Sequence, residues 1–205
     1  MNIKKSILLA ATTVLLTASS YADSLGGFVG TMNTKNLGTG SAVGAIFRLD
    51  IAPLVSLELR GAYVDEFDAI GNMETALSEL HLGDLKLDDF CVVPLEIGPV
   101  VQISVLDMLG FYVGGGYGYY YIPAFDLMSE NGYSAEESSG SVNGWWAVAG
   151  VEAGLPNISL FAEVKYTHIV DTLETNFEFG GYGFNVHTDL DLSGLSALVG
   201  IRLKW

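Results

Sequence analysis

A single cysteine, Cys91, is present in the chain, so no disulfide can form within it. That excludes a small disulfide-stapled scaffold. A lone cysteine is more often a small buried apolar residue than a reactive group. Positive charge is scarce as well. Nine Lys and Arg stand against 24 Asp and Glu, for a formal net charge of −15. This balance argues against nucleic acid as a partner, because affinity there rests on neutralising phosphates with Lys and Arg. It argues equally against polybasic attachment to anionic lipid. From residue 23 onward no run approaches the ~18 uncharged apolar residues of a spanning helix. Yet half of all residues are hydrophobic and the mean hydropathy is +0.38, high for a soluble domain. Glycine is plentiful at 25 residues, which suits closely packed or strongly curved strands.

The first 22 residues are read apart from the rest. "MNIKK" supplies Lys4 and Lys5, an apolar run follows from Ile7 to Leu16, and "TASSYA" places Ser20 and Ala22 at a small-x-small cleavage site. This pattern predicts a secretory signal peptide over residues 1–22, with Asp23 as the first mature residue. A membrane anchor is the alternative, but the apolar run is short. Residues 23–205 then form one domain, with 7 cations against 24 acids and a net charge of −17.

Within that domain, period two dominates. In "ISLFAEVKYT" (158–167) the even positions are Ile, Leu, Ala, Val and Tyr, and the odd ones include Glu163 and Lys165. In "WWAVAGVEAGL" (145–155) the odd positions are apolar and Glu152 faces the other way. "VSLELRGAYV" (55–64) opposes Val55, Leu57, Leu59 and Tyr63 to Glu58 and Arg60. "SAVGAIFRLDI" (41–51) opposes Val43, Phe47, Leu49 and Ile51 to Arg48 and Asp50. Residues 85–105 alternate for about twenty positions, broken at Asp89, with Lys86, Glu96 and Gln102 on the polar side. "FYVGGGYGYYYI" (111–122) opposes aromatic residues to glycine, and "SLGGFVGTMN" (24–33) has no clear facing. With "SGLSALVGIRLKW" (193–205) this makes eight strands. Their connections are short (51–54, 106–110, 155–157), intermediate (34–40), or long and polar (66–80, 123–142, 171–192), as in an up-and-down meander.

A soluble sandwich or lipocalin-like barrel would also alternate, with its apolar face inward. The cations decide between the two. Arg48, Arg60, Lys86, Lys165, Arg202 and Lys204 are every cation after residue 22 except Lys35, and all lie on polar strand faces. The same faces carry Glu58, Glu96, Glu152 and Glu163, whereas the loops hold acids almost exclusively. Cations gathered where the strand acids are predict a paired, charged lumen and an apolar exterior. In hydrocarbon only helices and closed barrels satisfy the backbone, and strands of about ten residues are long enough to span. The expected fold is all-β, an eight-stranded antiparallel up-and-down transmembrane β-barrel. Tyr63, Tyr117, Tyr119, Tyr121, Trp145, Tyr166 and Trp205 fall near strand ends and are expected in the membrane-interface girdles.

"VPLEIG" (93–98), "FYVGGGYGYYYIP" (111–123), "GWWAVAGVEAGLPNISLFAEVKYTHI" (144–169) and "GLSALVGIRLKW" (194–205) resemble the OmpA-like, or opacity-porin-like, outer-membrane β-barrel family. The resemblance covers most of the second half of the mature chain, and the first half follows by pattern. It implies residence in the outer membrane of a Gram-negative cell envelope, with short periplasmic turns and long extracellular loops. It implies contact with outer-membrane lipid and lipopolysaccharide. It also implies that Leu195, Ala197, Val199, Ile201, Leu203 and Trp205 form the terminal segment read by the barrel assembly machinery, although the family more often ends on Phe.

The remaining features carry little chemistry. Barrels resembling lipid A deacylases carry His-x-Ser, but His168 and His187 are not followed by serine two residues on. His81, His168 and His187 are expected at loops and rims. "DLKLDDF" (84–90) and "HTDLDLSG" (187–194) cluster acids without EF-hand spacing, so divalent cations at the acidic loops are a candidate partner and no resident metal or cofactor is expected. "VGGGYG" (113–118) lacks the Lys-Ser/Thr of a phosphate loop, and strand curvature explains it better. The expectation is an integral outer-membrane protein, not an enzyme, with a structural or surface-interaction role and a side-chain-filled lumen. The alternatives are a narrow porin-like channel and, behind it, a lipid-modifying enzyme.

Overall fold

The computed structural model describes residues 23–35, 38–65, 85–88, 91–106, 108–123, 125–129, 134–137, 140–179 and 182–205. The expected signal peptide and the 66–80 loop lie outside the described residues. The strands are β1 (Ser24–Thr34), β2 (Gly38–Ala52), β3 (Val55–Asp65), β4 (Leu85–Asp88), β5 (Val93–Leu106), β6 (Leu109–Ile122), β7 (Phe125–Ser129), β8 (Ser134–Glu137), β9 (Gly140–Leu155), β10 (Ile158–His168), β11 (Val170–Phe179), β12 (Tyr182–Asp191) and β13 (Gly194–Lys204). Eight of them close into a barrel in the order β1-β2-β3-β5-β6-β9-β10-β13, with β13 back on β1. Every pairing is antiparallel, and Val29 of β1 stands opposite both Val43 and Val199. This is the expected up-and-down topology, and it leaves no open edge in the barrel wall.

The outward positions explain where such a wall is stable. Leu160, Val164, Val29, Val113, Ile103 and Leu195 are each more than half exposed. Along the eight staves the only charged residue with outward parity is Asp65, the last residue of β3. Soluble monomers rarely expose more than a few hundred Å² of contiguous apolar surface. A continuous apolar belt around a closed barrel is the surface of a membrane protein. The ambiguous first strand resolves with Phe28 and Met32 inward and Val29 outward.

Two expectations are corrected. Residues 85–105 are not one strand. β4 pairs with β7 in a separate three-stranded sheet with β8, and the barrel stave begins at Val93. Asp89 carries the outward parity of β5, and a carboxylate facing hydrocarbon is costly, so a stave starting earlier would be penalised. Lys86 therefore lies in β4, off the barrel wall. The connections 123–142 and 171–192 are not plain loops either. The first contains β7 and β8, and the second is the hairpin β11–β12.

The turns at Pro53–Leu54 and Pro156–Asn157 and the β5–β6 turn share one end of the barrel with Ser24 and Lys204. The long connections share the other. Glycines let staves and large side chains meet. A Cβ on Gly116 would lie 2.0 Å from the Ile97 carbonyl oxygen, so β5 and β6 could not approach as they do. A Cβ on Gly150 would lie 2.3 Å from the Tyr112 ring, so that glycine gives the tyrosine its place in the lumen.

Candidate functional site

Alternation turns the polar stave faces into one enclosed lumen. Glu58, Glu96, Glu152, Glu163, Arg48, Arg60, Lys165 and Arg202 are all buried there, and Lys204 is half-buried at the turn end. Facing staves supply opposite charges. Arg48 Nε donates to Glu58 Oε2 at 2.6 Å, and its Nη1 donates to Gln102 Oε1 at 2.8 Å. Arg60 Nε donates to Glu58, and its two terminal nitrogens form a fork onto Glu163, one at 2.9 Å. Arg202 and Lys204 both donate to Glu152, which also accepts from Ser159 Oγ at 2.8 Å. Nearer the long connections, Lys165 Nζ donates to both Glu96 oxygens at 2.6 and 2.8 Å. The four carboxylates are thus each bonded to at least one cation, which is what makes their burial tolerable.

The sequence reading did not find the aromatic part of this network. Tyr112 donates to Glu163 at 2.7 Å and Tyr120 donates to Glu96 at 2.9 Å. The Arg48 guanidinium lies 4.5 Å over the Tyr112 ring, and Arg60 lies 5.1 Å from the Trp146 ring. Even positions 112 and 120 share the inward parity of β6, so the period-two pattern contained them. They were passed over because their inward neighbours are glycines. Nor is the lumen wholly polar. Phe28, Met32, Ile46, Val100, Trp146 and Leu198 pack in it as a buried apolar cluster. The cavity between this core and Arg60, Glu96 and Lys165 has a volume of about 10 Å³, room for one water. Arg48 Nη2 and Arg202 Nε and Nη2 are buried without a hydrogen-bond partner among the described residues.

At the outer end a small latch holds the base of β11–β12. Lys35 Nζ donates to Asp191 Oδ2 at 2.7 Å, and the Ser193 backbone N–H donates to Asp191 Oδ1 at 2.9 Å. These donors hold the Asp191 carboxyl well below its usual value, at about 2. The sign follows. A depressed carboxyl contributes stability above its ordinary value of 3.8 and loses it as pH falls through about 2. NMR titration is expected to find Asp191 ionising near 2, and Lys35→Ala is expected to move it back toward 3.8. An unchanged titration in Lys35→Ala would remove the latch.

Ser193 Oγ lies 3.1 Å from His168 Nδ1, a pairing that serine nucleophiles use. Here the serine is fully enclosed, accepts from the Ile169 N–H at 3.1 Å, and is 3.3 Å from the Ile169 carbonyl. Asp191 is committed to Lys35 and the Ser193 N–H. The arrangement ties two chain segments at the rim. Among the described residues no group of three or more His, Cys, Asp and Glu could hold a metal. The acids of the 66–80 loop lie outside the described residues, as do the side chains of residues 171–190 and of Lys86.

The expected interface aromatics are unevenly divided. Tyr63, Tyr117, Tyr119, Tyr121, Trp145 and Tyr166 all stand toward the long-connection end, and Trp205 alone marks the turn end. The Trp145 ring lies 5.4 Å from Tyr166 and 5.2 Å from His168. Leu195, Val199, Ile201, Leu203 and Trp205 project from β13 to the exterior and are about half exposed or more, with Ala197 in the same row.

A closed antiparallel eight-stranded barrel with an apolar belt and a charged core is also the fold of solved outer-membrane barrels. Solved structures agree. Neisserial surface protein A superposes with a TM-score of 0.56 at 14% identity, over 89% of this chain and 95% of that one. A major outer membrane protein from Thermus thermophilus gives 0.55 at 14% identity, over 89% and 98%. The N-terminal β-barrel domain of Pseudomonas aeruginosa OprF gives 0.51 at 10% identity, over 90% and 98%. Identities this low establish the shared fold and nothing finer. No family model matches the sequence, and no curated protein matches it.

Proposed function

We propose that this chain is a non-enzymatic protein of the outer membrane that acts through its external surface, with the barrel as a closed anchor. Its short turns face the periplasm and its long connections face outward, among lipopolysaccharide. The observation that carries the reading is the lumen, where four carboxylates pair with four buried cations beside a buried apolar cluster, and the cavity among Arg60, Glu96 and Lys165 has a volume of only about 10 Å³. An eight-stranded barrel encloses only enough space for its own side chains. The row from Leu195 to Trp205 is the segment offered to the barrel assembly machinery.

The rival reading is a narrow channel. Single-channel recording on purified barrel in planar bilayers separates them. No stable conductance is expected. A steady conductance that shifts on Glu163→Gln would replace the closed anchor with a pore. A lipid-modifying activity would need a serine open to substrate, and the enclosure of Ser193 speaks against it.

A further inference from the structure

The apolar belt is not of even height around the barrel. On β6 the outward positions from Leu109 to Tyr121 carry no charged or amide side chain, and on β5 those from Val93 to Val105 are all apolar. On β2 the outward apolar row runs from Ile51 only as far as Val43, and on β1 from Leu25 only as far as Val29. A strand rises about 3.4 Å per residue and tilts about 45° in a membrane barrel, so each residue adds about 2.4 Å of height. The belt is then about 29 Å tall on β5 and β6, about 19 Å on β2 and about 10 Å on β1. At the turn end Ile51 and Trp205 stand on either side of β1 and are both exposed, so this side keeps its apolar contact there. The drop lies at the long-connection end.

Polar side chains take up the missing height. Thr31, Asn33 and Ser41 are exposed on the outward face. The register sets Thr31 against Ser41 and Asn33 against Thr39, and Asn33 Nδ2 donates to Thr39 Oγ1 at 3.0 Å. Asp65 stands opposite Ser41 on β3. The interface aromatics avoid the same side. Those of this end lie on β3, β6, β9 and β10, and neither β1 nor β2 carries a Tyr or Trp. Polar substitution and missing aromatics thus mark one low side independently.

We propose that the outward face of β1 and β2 seats the polar headgroups of the adjoining leaflet, so that the bilayer is thinned along this one side of the barrel. Hydroxyl and amide groups left in hydrocarbon lose their hydrogen bonds to water and are costly there. A bilayer meets a short apolar stretch by thinning locally, which brings headgroup oxygens down to such groups. Thr31, Asn33, Thr39 and Ser41 offer neutral donors and acceptors to those oxygens. A second copy is the poorer occupant. Across a two-fold axis it would bring two Asp65 carboxylates together away from water.

The test uses the full chain folded into phosphatidylcholine vesicles. Single cysteines replacing Thr31, Asn33 or Tyr117 in a Cys91→Ala background carry a fluorophore, quenched by lipids spin-labelled either at the headgroup or in mid-chain. The headgroup label is expected to quench positions 31 and 33 more strongly, and the chain label position 117. Fluorophores at Ile51 and Leu109 are expected to lie at equal depth, and unequal depth would mean a tilted barrel in place of a thinned bilayer. Chain-label quenching at 31 and 33 would overturn the proposal. So would shielding from both labels, which means cover by the chain itself, or a disulfide between copies at position 33. A second arm fills the belt with Thr31→Val, Asn33→Leu, Thr39→Val and Ser41→Val together. From dilauroyl to dioleoyl lipid, the folding equilibrium constant of the parent is expected to fall about tenfold more than that of the filled variant. Equal falls would overturn the thinning, and a filled variant that fails to fold leaves the labelling to decide.

Discussion

Glu58→Gln is expected to lower the unfolding free energy of the barrel by about 3–5 kcal/mol, the cost of leaving buried charges without their partner. Glu58 receives Arg48 at 2.6 Å and Arg60 on its other oxygen, and Arg202 stands 4.0 Å away. The amide removes the charge and adds donors to a lumen that already has buried guanidinium nitrogens without acceptors. Urea unfolding from lipid vesicles measures it. Adding Arg48→Met to Glu58→Gln is expected to recover part of the loss, because replacing both members of a buried pair is often close to neutral. A Glu58→Gln barrel as stable as the parent would mean that the lumen is wet and its ion pairs are screened.

Val164→Arg is expected to cost about 2–4 kcal/mol, and Leu203→Arg near the turn end about 0–1 kcal/mol. Val164 is 56% exposed in the middle of β10, between Ala149 and Ala197 on the neighbouring staves. On a soluble protein so exposed a position would change stability by no more than about 0.5 kcal/mol. The pair of substitutions therefore reads depth in hydrocarbon. Equal small effects at both positions would contradict a membrane-embedded belt. Lys165 is tolerated one residue further along because it points the other way, onto Glu96.

How much of this was legible in the chain follows from what alternation encodes. Period two alone assigned the faces of β3, β9, β10 and β13, because one lipid-facing charge is costly enough to keep the pattern strict. Lys165 and Val164 could be sorted by parity without coordinates. The aromatic half of the lumen was less legible. Tyr112 and Tyr120 look like girdle residues in "FYVGGGYGYYYI", and only parity counted against glycine neighbours reveals them as inward donors. The external hairpin was missed for a different reason. Residues 171–192 mix Thr, Asn and acids with their apolar residues, and polar composition outweighed an alternation that Phe177, Phe184, Val186 and Leu190 do carry. Lys86 shows the limit of the method. Its parity fits β5, but the acid at Asp89 breaks the stave, and pairing with β7 takes the segment elsewhere.

The facing of β10 tests the whole account in one measurement. Single cysteines placed at 158–168 in a Cys91→Ala background can be spin-labelled and scored for oxygen accessibility in lipid vesicles. The account predicts high accessibility at 158, 160, 162 and 164, low values at 159, 161, 163 and 165, and a strict period of two. High accessibility at the Glu163 and Lys165 positions, or no periodicity at all, would contradict a barrel that turns its greasy face to lipid and its charges inward.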